Sequence, residues 1–169
     1  MSYYSRLSKA FRNVPILPLT DNSKYILISD CHRGNGTNND NFLKNQNLYF
    51  AALKYYYEQN YTYIELGDGD ELWENRRMRD ITEIHSNVFW LLDQFHQQER
   101  LYMLYGNHDI VKRRSNFLRK SCPVDAYAQK PEFLQLLYSL KFHSGLILDD
   151  QITGKQVYLT HGHQADFLD

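Results

Sequence analysis

Four short apolar runs in this chain each end abruptly at a cluster of metal-ligand or proton-carrying side chains, and that repetition constrains the fold more than any single motif. Lys24 to Ser29 carries the continuously apolar Tyr25-Ile26-Leu27-Ile28 and stops at Asp30-Cys31-His32-Arg33-Gly34. Tyr61 to Leu66 stops at Gly67-Asp68-Gly69-Asp70-Glu71, and Leu101 to Tyr105 stops at Gly106-Asn107-His108-Asp109. Later in the chain, Gln156 to Thr160 leads into His161-Gly162-His163-Gln164-Ala165-Asp166. Short aromatic and aliphatic runs bounded by glycine and polar residues read as buried strands.

Helical patterns separate the first three runs. Phe42 to Asn60 is one, and Ile81 to Gln98 is the other, with Ile84, Val88, Leu91, Leu92 and Phe95 forming an apolar stripe. Strands alternating with helices predict an α/β fold with right-handed crossovers and a mainly parallel sheet. In such sheets ligands bind beyond the carboxyl ends of the strands, so the polar clusters fall along one edge. A short helix over Pro131–Leu140 and a strand over Phe142–Leu148 complete the expected elements. Residues 1–23 read as a lead-in segment. There Arg6, Lys9 and Arg12 lie at helical spacing on a solvated face, and Val14 to Leu19 forms an extended stretch punctuated by proline. Asn35 to Asn41 is expected as an exposed loop near the site, Tyr55-Tyr56-Tyr57 as core and rim packing, and His85 and His96 as surface or rim residues.

A length of 169 residues suits a single domain with a sizeable core, and 43% hydrophobic with 15% aromatic residues excludes a disordered composition. With 19 basic against 20 acidic side chains the formal net charge is -1, so no global basic footprint for nucleic acid exists. Local basic clusters remain at Arg76, Arg77 and Arg79, at Lys112-Arg113-Arg114 and at Arg119-Lys120, read as solvated faces or as contacts to substrate phosphate. Cys31 and Cys122 make neither a disulfide framework nor a zinc motif, and Cys31 reads as a small buried side chain. No signal-peptide pattern and no apolar run of membrane-spanning length is present, so a cytoplasmic location is expected.

The candidate ligands mix oxygen with imidazole nitrogen and lack thiolates, which suits two divalent ions such as Mn, Fe or Zn. Two ions roughly 3.5–4 Å apart, bridged by a carboxylate, activate water and neutralise a phosphoryl group. Asp68, flanked by Gly67 and Gly69, is the natural bridge because the backbone there admits close approach from two sides.

Taken together, Asp30-Cys31-His32, Gly67-Asp68, Gly106-Asn107-His108-Asp109 and the later His161 resemble the D-x-H, G-D, G-N-H-D/E and lone histidine of the calcineurin-like metallophosphoesterases, over about residues 24–166. The contexts of the second and fourth motifs are most similar to the branch containing UDP-2,3-diacylglucosamine hydrolases. The resemblance implies a layered α/β sandwich that hydrolyses a phosphomonoester, phosphodiester or pyrophosphate. It implies one metal on Asp30, His32 and Asp68 and a second on Asp68, Asn107 and His161. His108 would be the general acid or donor to a phosphoryl oxygen, with Asp109 holding its ring. Arg33, by its charge and position, is a candidate contact for substrate phosphate. The family's closing G-H-x-H is not matched, since Gly162-His163-Gln164-Ala165 lacks the second histidine. The expectation is therefore a chain truncated after the fourth motif, with each metal short of one ligand, the C-terminal part of the second sheet missing and activity impaired. His163 would then be a makeshift ligand, a residue behind the ligands or one facing solvent, and exposed sheet surface would favour a homo-oligomer. Two alternatives compete: a metal-free scaffold for protein interaction, and a nuclease of the same fold using the basic clusters.

Overall fold

The apolar runs divide their side chains between two layers, one made by helices and one by a second sheet. The structure, a computed structural model, describes residues 3–38, 40–114, 116–117 and 139–163. In chain order the elements are α1 (Tyr3–Ala10), β1 (Ile16–Leu19), β2 (Tyr25–Ile28), α2 (Gln46–Glu58), β3 (Thr62–Glu65), α3 (Met78–Ile84) and α4 (Ser86–Gln97). They continue with β4 (Leu101–Leu104), a 3₁₀ turn over Ile110–Arg113, β5 (Phe142–His143), β6 (Leu146–Asp150) and β7 (Gln156–Leu159). The expected helix over 131–140 lies almost wholly outside the described residues, as do Arg119 and Lys120.

β2, β3, β4 and β5 form a four-stranded, wholly parallel sheet in that order, and β1, β6 and β7 form a three-stranded sheet with β6 at its centre. Side chains alternate across each strand of the parallel sheet. Tyr63, Leu101 and Met103 join Leu53, Ile81, Val88, Leu91, Leu92 and Phe95 in a helix-side core. Ile64 and Leu104 join Leu146 and Leu148 between the two sheets. The second and third apolar runs, β3 and β4, are thus buried on both faces, as their lack of alternation predicts, whereas the first, β2, is at the edge of the sheet with Leu27 exposed. Phe95 anchors the helix side, its ring 5.1 Å from that of Tyr57 and 6.0 Å from that of Tyr63. Its loss to alanine would cost about 3–5 kcal/mol.

Three expectations from the sequence need correction. The proline-punctuated lead-in contains a strand, β1, which pairs parallel to β6 at the sheet edge, where Pro18 need not donate to a ladder. The run from Phe142 to Leu148 is not one strand. β5 pairs with β4 in one sheet and β6 with β1 and β7 in the other, so the chain changes sheet at Ser144-Gly145. A Cβ at Gly145 would lie 2.6 Å from Phe11 Cε1, which leaves glycine the only residue that fits this crossing without displacement. The expected helix over 81–98 is two helices, α3 and α4, broken at His85. His85 is wholly buried rather than at the rim, with Nε2 2.8 Å from Asp40 Oδ2 and Nδ1 3.0 Å from Gln46 Oε1. A buried imidazole needs partners for its ring nitrogens, and the break delivers it to them.

Asp40 in turn fixes the end of the polar loop after β2. Its carboxylate accepts from the backbone N–H groups of Gly36, Phe42 and Leu43 at 2.9, 3.1 and 3.1 Å. The loop tip is exposed, as the sequence implies, but its end is moored in the core. No helix among the described residues is long and apolar enough to cross a membrane.

Candidate metal centre

Beyond the carboxyl ends of β2 and β3 the two loops continue side by side. Asp30 N donates to Gly67 O at 3.1 Å, His32 N to Asp68 O at 2.9 Å and Arg33 N to Gly69 O at 3.0 Å. Asp30, His32 and Asp68 hold φ values of 55°, 49° and 51°, in the left-handed region that side chains with a Cβ mostly avoid. Backbone strain of this kind persists only where surrounding structure imposes it, and it concentrates at functional sites. The loop after β4 closes on the same place. A Cβ on Gly106 would lie 2.1 Å from Asp68 Oδ1, so only glycine lets this backbone reach the carboxylate. His108 N then donates to Asp68 Oδ1 at 2.8 Å.

These loops, with His161 from the end of β7, gather two groups of ligand-type atoms that share Asp68. His32, Asp68 and His108 form one, and Asp30, Asp68 and His161 the other, with the atoms of each within 4.8 Å of one another. Asn107 belongs with the second, its Oδ1 3.1 Å from His161 Nε2. The structure therefore brings together every residue that the sequence nominates for metal, namely Asp30, His32, Asp68, Asn107 and His161. Three of the four clusters come from the parallel sheet and His161 from the other sheet.

The chemistry of the second group fits a cation. His161 Nδ1 lies 3.2 Å from Leu66 O, a carbonyl that can only accept, so Nδ1 carries a proton. In the neutral ring Nε2 is then a lone pair, and it faces Asp68 Oδ2 at 3.2 Å and Asn107 Oδ1 at 3.1 Å. Three lone-pair groups converging in this way repel unless a proton or a metal ion lies among them. The Asp68 carboxylate favours the proton, and its hydrogen bond above all raises the pKa of His161. Burial pushes the Asp68 carboxyl up, but the hydrogen bonds from His161 and from the His108 backbone bring it below the ordinary value.

Glu71, at the end of the second motif and a residue the motifs alone give no role, organises the other half of the site. Its Oε2 is 3.1 Å from His32 Nδ1 and 2.7 Å from His108 Nδ1, and the two rings meet edge to face at 4.6 Å. A carboxylate at Nδ1 fixes the tautomer and leaves Nε2 of His32 as the ligand atom. The sequence signal for it is a buried acid three residues after the candidate bridge, in a loop already tied to the His32 loop.

Directly beneath runs a closed network of buried charges. Arg33 forms a fork with Glu65, 2.7 and 2.9 Å, and reaches Asp70 Oδ1 at 2.7 Å. Lys112 Nζ lies 2.6 Å from Asp70 Oδ2 and 2.5 Å from Asp109 Oδ2. Asp109 Oδ1 accepts from Gly106 N at 2.7 Å, and Tyr63 donates to Glu65 at 3.0 Å. Burial alone would push Asp70 up, but Arg33 and Lys112 hold it down at about 2.

This network overturns three expectations. Arg33 is wholly buried and saturated by carboxylates, so it is not available to substrate phosphate. Asp109 does not hold the His108 ring, for it faces Lys112 and Gly106 while Glu71 takes the imidazole. Lys112 is neither on a solvated face nor at a phosphate site. His163 is buried, its ring 5.6 Å from that of His161 and 6.0 Å from that of Tyr105, behind the second group rather than in it. Cys31 is half-buried, and burial pushes its thiol up to about 12, which leaves it no thiolate to offer a metal.

Compared with family models, curated proteins and solved structures, the chain matches none of them. What class of protein this is therefore rests on the side chains just described.

Proposed function

We propose that this chain is a hydrolase of phosphoesters that works with two divalent ions. The observation that carries the reading is Asp68 between two histidines, its Oδ2 4.0 Å from His32 Nε2, which lies 3.8 Å from Asp30 Oδ1, and 3.2 Å from His161 Nε2, with the Glu71-held His108 close by. Asp30, His32 and Asp68 would hold one ion, and Asp68, Asn107 and His161 the other. Ions held there supply positive charge for phosphoryl oxygens and make a water acidic enough to attack near neutral pH.

The protein's own groups do the rest. Asp68 carries charge to both sites and is positioned by the His108 backbone N–H. His108, with Nδ1 engaged by Glu71, keeps Nε2 for the reaction; protonated, it donates to the leaving-group oxygen. A set of convergent acceptors with two tautomer-fixing partners has no use in a metal-free scaffold.

Calorimetry with Mn or Zn, followed by assay on bis-p-nitrophenyl phosphate, tests the reading. Binding and hydrolysis by the chain, both lost in Asp68→Asn, are expected. A folded protein that binds neither ion would overturn it.

A further inference from the structure

Next to the candidate centre a large aromatic side chain stands in water. Trp73 has 62% of its surface exposed, yet its ring lies 4.0 Å, centroid to centroid, from that of His108, tilted by 32°. Its backbone N–H donates to Glu71 Oε1 at 3.2 Å, and Asn75 Nδ2 donates to Glu71 O at 2.9 Å. The carboxylate that aligns His32 and His108 therefore also fixes the point from which the indole starts. Indoles usually bury their apolar body, and this one is covered on its His108 side with more than half its surface left open.

We propose that Trp73 is the platform for the leaving group, stacking a flat aromatic ring joined to the scissile oxygen and so favouring aryl over alkyl phosphoesters. This rests on the phosphoesterase reading, because it places the leaving-group oxygen at His108. The atoms next beyond that oxygen must pass within a ring's width of the His108 imidazole, and the indole stacked on that ring, being the wider of the two, is the aromatic surface within that distance. An exposed aromatic face offers a flat ring dispersion contact at no cost in conformational ordering of its own, whereas a flexible alkyl chain covers the indole poorly. Stacking on an aromatic side chain is worth about tenfold or more in affinity.

The test compares phenyl phosphate with butyl phosphate, using the Mn-loaded chain and following phosphate release. Trp73→Ala is expected to lower kcat/KM for phenyl phosphate about tenfold, through KM, while butyl phosphate changes less than about twofold. Trp73→Phe is expected to retain most of the preference. Equal losses on both esters would overturn the proposal, since they would mean that the indole only steadies His108. No loss on either would overturn it too. A second arm keeps this separate from catalysis. The chain has 2 tryptophans, so in Trp90→Phe the indole of Trp73 alone fluoresces. Saturable quenching by p-nitrophenyl phosphate, and none by inorganic phosphate, supports the stack even if no ester is hydrolysed, in which case only the phosphoesterase reading falls. Absence of quenching by the aryl ester overturns the stack whatever the turnover.

Discussion

The loops after β2, β3 and β4, joined by Glu65 of β3 below and by His161 above, carry two layers of charge that meet opposite fates. In the lower layer Arg33, Glu65, Asp70, Asp109 and Lys112 are all buried, and each cation lies against two carboxylates. In the upper layer Asp68, Asn107 and His161 turn acceptors on one another, and Asp30 is largely exposed. Neighbours in sequence are split between them: His32 is above and Arg33 below, Asp68 above and Asp70 below, His108 above and Asp109 below. The lower layer is complete with the chain's own charges. In the upper layer the positive partner is a proton on His161, which a metal ion can displace, and this difference is the physical reason to look for ions in one and not the other.

The largest effect should come from opening the lower layer. Arg33→Ala or Lys112→Ala leaves carboxylates buried without a partner and should destabilise the fold by about 3–5 kcal/mol in urea titration. A variant as stable as the parent would show that the layer is not a support. Acid should open it as well. The Asp70 carboxyl sits at about 2 against an ordinary 3.8, so its contribution is complete above about pH 4 and is lost as pH falls through about 2. Asp40, also held low, adds loss in the same direction. Unfolding followed by circular dichroism from pH 5 to pH 1 would trace it.

The upper layer should answer to metal instead. Mn at about 100 times its dissociation constant should stabilise the protein by about 2.7 kcal/mol, with no stabilisation in Asp68→Asn. A parent protein indifferent to every divalent ion would break the contrast between the layers. Glu71→Gln should weaken metal binding by roughly 10–100-fold, about 1.4–2.7 kcal/mol, because an uncharged amide oxygen holds the two imidazole N–H groups that meet at Oε2 less firmly than a carboxylate does. The smallest change belongs to the exposed pair Arg79–Glu83, 2.8 Å apart, where Glu83→Gln should move stability by less than about 1 kcal/mol.

Much of the upper layer was legible in the sequence because a strand end is easy to read. Asp30, His32, Asp68, Asn107 and His161 all follow apolar runs, and a parallel sheet sends such ends to one edge. The lower layer was not. An arginine beside a ligand histidine looks the same whether it points to substrate or into the core, and only the buried Glu65, inside β3, reveals which. Glu65 itself sits in a run that reads as apolar. Period alone also could not locate the step at Gly145, since Phe142 to Leu148 is apolar on both sides of it. Nor could it locate the break at His85, whose cause is a partner 45 residues away, Asp40.

The step at Ser144-Gly145 and the reach of His161 have a joint mechanical meaning. At one end of β5 a strap of two residues ties the two sheets, which also share the β1–β2 connection and the core of Ile64, Leu104, Leu146 and Leu148, and they meet again where His161 reaches Asp68. An ion held between those side chains would be a second fastening, on a stretch of chain that starts and finishes in different sheets. Loading the site would then brace the spacing of the sandwich as well as serve its chemistry, and stripping the ion would leave that spacing to the shared core and the β6–β7 ladder.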